Sequence, residues 1–349
     1  MELHVGLIGA SSFGKNHLRA FQESDYVREI SLAGRSLEKL EPLKAEHSKV
    51  GNLSTDFSEF FDNADIDLID IVLPHDMHLP VSVSAMEAGK HVICEKPPAR
   101  TMAEFDAMVA TSRSTGKQLF IIMNQLYNPV HRKIRESLEA GAIGRPFLSY
   151  EYGLNNELNV MTDMSNWRAD NERCGGGIMI DGGFHQIYRH LFFFENFGRP
   201  DWVTGTVGQI GLDIPEKGED FFSMTIGYDS GLHIQLLRAF SVRQAPPHGP
   251  GSIAGEQGTL VLDGPEDRPF RILTESGEEA IEVDGGTRGY SETIPPCVHY
   301  YLECLAQGRE PRPGLEMAAR TLEIIDAAKE SSRIGQRIQL REKALSPDS

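Results

Sequence analysis

Read from the amino end, the chain alternates short apolar runs with stretches whose apolar residues recur every three or four positions. Val5-Gly6-Leu7-Ile8, Glu29 to Ala33, Asp67 to Leu73, Val92-Ile93-Cys94 and Leu119 to Met123 are the runs, and they predict strands. Lys15 to Phe21, Leu37 to His47, Leu79 to Ala88 and Met102 to Thr115 predict the helices between them, the last with Thr101 as N-cap and Gly116 as C-cap. Strand and helix alternating over about 120 residues predict a doubly wound parallel α/β sheet.

After Met123 the texture changes, which places a domain boundary at 123/124. Pro129 to Ala140 predicts a helix closed by Gly141, and Pro146 to Tyr152 predicts a strand. Trp202 to Ile210, Phe221 to Tyr228, Leu232 to Phe240 and Thr259 to Leu262 then follow one another as strands. Neighbouring strands without helices between them predict a C-terminal α+β domain, residues 124–349, whose sheet is largely antiparallel with one open face. Such a face in a folded protein commonly meets a second copy, so a homodimer or homotetramer is expected through it. Ala245 to Gly251 reads as a loop, Leu315 to Ser332 as a long amphipathic helix before Gly335, and Leu345 to Ser349 as a frayed tail.

Composition narrows the classes of function. The 349 residues carry 34 Lys+Arg against 51 Asp+Glu, a net charge of -17, which repels polyphosphate backbones and anionic membrane surfaces. Nucleic acid is therefore not expected as a partner. The four cysteines, Cys94, Cys174, Cys297 and Cys304, form no Cys-x-x-Cys pair and suit reduced, buried thiols. The amino end runs directly into a strand, and no apolar stretch approaches the roughly 20 residues of a membrane helix, so a cytoplasmic protein is expected.

Four stretches carry chemistry. The first is Gly9-Ala10-Ser11-Ser12-Phe13-Gly14, between a strand and a helix. Such a turn aims backbone N–H groups and the positive end of a helix at a pyrophosphate, although Ser11 replaces the middle glycine of the usual three and a turn built only for packing has the same pattern. The second is Gly34-Arg35-Ser36, about 20 residues further on, where a carboxylate would hold the ribose 2′-hydroxyl of NAD. Arg35 and Ser36 offer instead a guanidinium and a hydroxyl, equipment for a 2′-phosphate; NADP is preferred over NAD, the alternative being a solvated arginine. His75, Asp76 and His78 after Pro74 read as loop polarity or helix capping, because a metal needs three or four converging ligands; no metal site is expected.

The third stretch is Gly89-Lys90-His91-Val92-Ile93-Cys94-Glu95-Lys96-Pro97-Pro98. Two prolines stop the strand and leave Glu95 and Lys96 at its carboxyl end, where open α/β sheets place their ligands. Lys96 read alone is equally a surface lysine. The fourth runs from Trp167-Arg168 through Gly175-Gly176-Gly177 to Asp181 and His185. Asp181 and His185 are four apart, so on a helix they share a face, and the glycines let that helix start close against another backbone or a cofactor ring. A carboxylate beside an imidazole suits acid-base chemistry; an N-cap and a core histidine would look the same.

In this order, these motifs resemble the Gfo/Idh/MocA family of dinucleotide-dependent sugar and polyol oxidoreductases. The resemblance runs through Gly9 to His17, Pro74 with His78, Gly89 to Pro97, Gly141 to Pro146, Gly175 to His185 and Ser331 to Gly335. It implies an N-terminal Rossmann domain, a C-terminal open-faced sheet, and a sugar or polyol substrate between them. Lys96, Asp181 and His185 take the catalytic positions. Gly9, Ser11, Ser12, Phe13, Gly14, Arg35, Ser36, Pro74, His78, Glu95 and Lys96 fall near the cofactor. Trp167 and Arg168 are candidate substrate contacts beside Lys96, Asp181 and His185; read alone they are a packed tryptophan and a surface arginine. Leu126 stands where many members have arginine, and Tyr188 where many have aspartate. Those departures imply a pocket with fewer polar groups for hydroxyls or a carboxylate.

The reading that follows is reversible hydride transfer between a nicotinamide and a carbinol carbon, with His185 or Lys96 taking the hydroxyl proton and Asp181 supporting them. Two alternatives stay open. One is elimination or glycoside cleavage assisted by a tightly held, recycled nicotinamide; the other is a non-catalytic dinucleotide sensor, which has no need of Lys96 or of the Asp181 and His185 pair.

Overall fold

The computed structural model describes residues 2–10, 12–163, 165–212, 218–244, 251–263, 268–286 and 289–345. In chain order its elements begin β1 (Leu3–Ile8), α1 (Gly14–Glu23), β2 (Val27–Ala33), α2 (Leu37–Glu46), β3 (Val50–Ser54), α3 (Glu59–Asp62), β4 (Leu68–Ile71), α4 (His78–Glu87), β5 (His91–Cys94), α5 (Met102–Thr115) and β6 (Leu119–Ile121). There follow α6 (Pro129–Glu139), β7 (Pro146–Leu154), α7 (Leu158–Thr162), α8 (Asn171–Cys174), α9 (Phe184–Phe193), β8 (Pro200–Gly208), β9 (Phe221–Tyr228) and β10 (His233–Ala239). The last are β11 (Gly251–Gly255), β12 (Gly258–Leu262), β13 (Phe270–Thr274), β14 (Gly277–Ile281), α10 (Ile294–Gln307), α11 (Leu315–Ile334) and β15 (Ile338–Gln339).

The first compact unit is built on a six-stranded parallel sheet in the order β3-β2-β1-β4-β5-β6. Both faces are covered by helices, so its strands are near-continuous apolar runs; Val5, Leu7, Leu68, Ile69, Val92 and Ile93 are fully buried. The expected caps of α5 are present, Thr101 Oγ1 accepting the Glu104 N–H at 3.2 Å and Gly116 turning left-handed at φ 68°. Strand order reverses between β1 and β4, and this switch point is where open α/β sheets receive ligands.

The unit does not end at Met123. Gly289–Ala318 packs with it, so the single cut at 123/124 misplaces α10. Tyr301 donates to the Ile121 carbonyl at 2.6 Å with its ring stacked on Phe120, His299 contacts the Ala20 carbonyl at 2.8 Å, and Asn124 donates to Tyr290 O and Thr293 Oγ1. The apolar stripe of α10 shows that it is covered. It carries no mark of which sheet covers it.

The second unit, from Gln125 to Gly286 with Ala319–Ala344, holds a nine-stranded sheet in the order β14-β13-β12-β11-β7-β10-β9-β8-β15. Its pairs are antiparallel except β7 with β10, as the largely antiparallel reading expects. One face packs on helices: Glu151 of β7 binds Gln186 and Arg189 of α9, and the backbone of β8 is held by Ser331 and Ser332 of α11. On the other face Tyr150 and Tyr152 stack on each other, and Tyr152, His233 and Gln235 are exposed. The expected loop at Ala245 to Gly251 and the tail at Leu345 to Ser349 lie almost wholly outside the described residues.

The close approach expected of the glycine run is present at Gly177, where an added Cβ would stand 1.9 Å from the Glu219 carbonyl oxygen. The next residue donates to that same oxygen, Ile178 N–H at 2.8 Å, so the backbone cannot retreat without losing a bond. Gly177→Ala should therefore destabilise the fold by about 2 kcal/mol or more, read as a lower urea midpoint.

Candidate active site

At the switch point the chain turns sharply between β1 and α1. Gly9 sits at φ 94°, and a Cβ there would meet the Val72 carbonyl oxygen at 2.0 Å, so only glycine fits where the turn lies against the end of β4. Helix α1 begins at Gly14 with Phe13 as its N-cap, without a side-chain cap bond and without an acidic residue in the first turn. Its positive end is thus not neutralised by those groups, which fits a pyrophosphate. Ser12 is exposed; Ser11 lies outside the described residues. Arg35, at the end of β2, is exposed and pairs with no carboxylate among the described residues, and Ser36 is the N-cap of α2.

Beyond β5 the chain is held by three buried side chains. Glu95 Oε1 lies 3.0 Å from His17 Nε2, its Oε2 accepts the Lys96 N–H at 2.9 Å, and His17 Nδ1 lies 2.8 Å from Asp70 Oδ2. His17 and Asp70 are fully buried and Glu95 nearly so. Burial alone would push the imidazole toward neutrality; the charges and hydrogen bonds of Asp70 and Glu95 override it and raise its pKa to about 10. The result is an imidazolium between two carboxylates, joining the first turn of α1 to β4 and to the residue before Lys96. Phe13 packs edge-on against that ring, with centroids 5.9 Å apart.

His78 makes a second clamp, Nδ1 at 2.8 Å from the Pro97 carbonyl and Nε2 at 2.9 Å from the Leu73 carbonyl. Pro74 precedes a short 3-10 turn, His75–Met77, and accepts the Met77 N–H at 2.9 Å. The side chains of Glu95 and His78 are therefore engaged by the protein itself. They hold the loop that presents half-buried Lys96, whose peptide to Pro97 is cis. Among the described residues, no group of three or more His, Cys, Asp or Glu could hold a metal ion.

In the second unit the motif residues lie on a π-helical turn, Met179–Gly183, that leads into α9. A regular α-helix was the expectation. The wider turn follows from Gly182 and Gly183, which let the chain press against the sheet: added Cβ atoms would lie 3.1 Å from the Phe240 ring and 3.0 Å from the Phe222 ring. π-turns of this kind are frequent at functional sites. Asp181 Oδ2 accepts from Arg168 Nε at 3.3 Å, and the Arg168 guanidinium lies 4.4 Å from the Trp167 ring centre. Trp167, Arg168 and Asp181 thus form one group. His185 Nδ1 lies 2.8 Å from the Tyr188 hydroxyl, which also accepts the Gln125 N–H at 3.2 Å.

Sequence reasoning missed three groups here. His17 was visible only as the end of the glycine motif, and Asp70 as a polar residue in an apolar strand, a signal that can be read in advance. Arg238 of β10, whose guanidinium donates to the Gly182 carbonyl at 3.2 Å beneath the π-turn, carries no motif at all.

A glycine turn at the switch point of a six-stranded parallel sheet, with a strand-end lysine beside it, defines an NAD(P)-binding Rossmann oxidoreductase. Residues 3–123 match the profile described as "Oxidoreductase family, NAD-binding Rossmann fold", and residues 131–261 match the GFO/IDH/MocA C-terminal domain. The chain belongs to the GFO/IDH/MocA oxidoreductase family, and it is an NAD(P)-dependent enzyme.

Among its relatives, D-apiose dehydrogenase of Paraburkholderia graminis is 25% identical over 96% of this chain and 89% of its own length. D-xylose 1-dehydrogenase [NADP(+)] of Haloarcula marismortui is 23% identical over 92% and 88% respectively. Among solved structures, levoglucosan dehydrogenase in complex with NADH and levoglucosan superposes with a TM-score of 0.85 at 21% identity, covering 98% of this chain and all of that one.

Because His17 has a pKa raised above that of a free imidazole, its charged form contributes stability that is present in full below about pH 6.5 and is lost as pH rises through about 10. His17→Gln should cost roughly 3 kcal/mol at neutral pH, within the range for breaking a buried charge network. Thermal melts from about pH 7 to about pH 11 should then show a steeper alkaline fall for the natural protein than for the variant.

Proposed function

We propose that this enzyme moves a hydride between NADP and a carbinol carbon of a sugar, polyol or sugar derivative, with Lys96, Asp181 and His185 as its catalytic residues. The observation that carries the reading is the strand-end lysine, fixed by the buried Glu95 carboxylate against the Rossmann switch point. Relatives named for D-apiose, D-xylose and levoglucosan support a sugar substrate. When bound, the nicotinamide supplies or accepts the hydride.

The residues of this chain then have separable tasks. A hydroxyl proton must leave as the hydride does, and His185 or Lys96 takes it. An ammonium at Lys96 also stabilises the developing alkoxide, and Asp181, paired to Arg168, supports that charge distribution in the reaction. Trp167 and Arg168 contact the sugar. Gly9, Ser11, Ser12, Phe13, Gly14 and Pro74 line the dinucleotide; Arg35, exposed and without a carboxylate partner, and Ser36 receive a 2′-phosphate. Two copies or more assemble through the open face that carries Tyr150 and Tyr152.

Lys96→Met should retain NADP(H) binding, measured by nicotinamide fluorescence, and lose turnover by more than ~100-fold. An unchanged rate removes Lys96 from the chemistry. A panel of sugars, inositols and deoxy-sugars, with D-apiose, D-xylose and levoglucosan included, should show reduction of NADP+ in preference to NAD+. Arg35→Ala should raise the KM for NADP+ by about 10-fold and leave that for NAD+ unchanged, the loss of one charge-assisted phosphate contact. Equal or better use of NAD+ by the natural enzyme would rule out the role given to Arg35.

A further inference from the structure

We infer that Tyr188 is the positioning residue of His185: its hydroxyl accepts the Nδ1–H of the imidazole and so directs the Nε2 lone pair to the substrate hydroxyl. The inference rests on the reading of His185 as a proton acceptor. Set against the family pattern, Tyr188 stands where many members have aspartate, a polar group lost. The structure shows the opposite. The Tyr188 side chain is completely buried, its oxygen lies 2.8 Å from His185 Nδ1, and that same oxygen accepts the Gln125 backbone N–H at 3.2 Å. The two rings meet edge to face at 5.5 Å, and Phe184 closes the far side of the tyrosine at 5.7 Å.

The chemistry follows from the atoms. A neutral imidazole has one N–H and one lone pair, and the partner of one nitrogen decides the state of the other. A hydroxyl oxygen anchored by a backbone N–H is held where Nδ1–H can donate to it. With the proton on Nδ1, as we infer, Nε2 is left as the acceptor. When Nε2 takes the proton of the substrate hydroxyl as the hydride departs, the ring becomes imidazolium and keeps its Nδ1–H on the tyrosine, so no heavy atom has to move. Unlike a carboxylate, the phenol is neutral and does not add a second negative charge beside the ring. The charged groups around the turn and α9 include Asp181 with Arg168 paired to it, Glu219, which accepts the Met179 N–H, Arg189 paired to Glu151, and Arg238, which donates to Gly182 O. None of them is replaced in function by the tyrosine.

The test is a double-mutant cycle on the full-length enzyme, with a sugar that supports turnover. His185→Ala should reduce kcat by ~100-fold or more, the usual size of a lost acid-base group. Tyr188→Phe should reduce kcat by ~10-fold or more with the sugar KM within about threefold, leave NADP(H) affinity unchanged, and move the acid limb of kcat/KM to lower pH, because the oxygen favours the charged ring. In the His185→Ala background the same substitution should have no further effect. An equal loss in both backgrounds, or no loss in the natural one, overturns the inference. A wild-type rate for His185→Ala fails the prior reading instead. Should Tyr188→Phe not fold, nitrogen-15 NMR of histidine-labelled natural enzyme, with the His185 signals identified by His185→Ala, decides: protonated Nδ1 in the neutral ring is expected, and protonated Nε2 overturns the assignment.

Discussion

Three buried side chains organise the first unit. An imidazolium at His17 stands between Asp70 and Glu95, and each member is tolerable only because the others are present. Ionised carboxylates in an apolar interior are expensive, and so is a lone imidazolium; together, with hydrogen bonds at 2.8 and 3.0 Å, they leave the interior close to balanced. The consequence is geometric. The first turn of the helix after the glycine turn, the middle of β4 and the residue before Lys96 are tied to one ring. A lysine placed by a freely rotating loop would sample many positions, whereas this one follows a backbone N–H fixed by a buried carboxylate.

The second unit uses space where the first uses charge. Gly177, Gly182 and Gly183 bring a helix start within van der Waals contact of the sheet, and the turn widens to a π-helix as it passes over Phe222, Phe240 and Arg238. Asp181 on that widened turn and His185 on α9 have separate partners, Arg168 and Tyr188.

Local signals carried much of this. The caps of α5 at Thr101 and Gly116, the glycine turn, the proline stop after Lys96 and the Gly-Gly-Gly run could all be read, because each works within a few residues of chain. What could not be read depends on distance in sequence: His17 and Glu95 are 78 apart, and His78 and Pro97 are 19 apart. Glu95 and His78 were legible as motif residues, but their protein partners, His17 and the Pro97 and Leu73 carbonyls, were not, since a motif shows that a side chain matters before it shows what it touches. The contact of the Tyr188 hydroxyl with His185 Nδ1 was likewise not legible in the chain.

The chain by itself determined the kinds of layer and the alternation that makes one sheet parallel and the other largely antiparallel. Those follow from periodicity and turn stereochemistry, which are properties of neighbours. Only the tertiary structure decided that α10 packs beside α1 and β6, that Glu95 is bound to His17, and that the turn under Asp181 is π-helical. Each of those outcomes depends on which distant surface covers a side chain, and burial against a particular partner is the one quantity that a local pattern cannot specify.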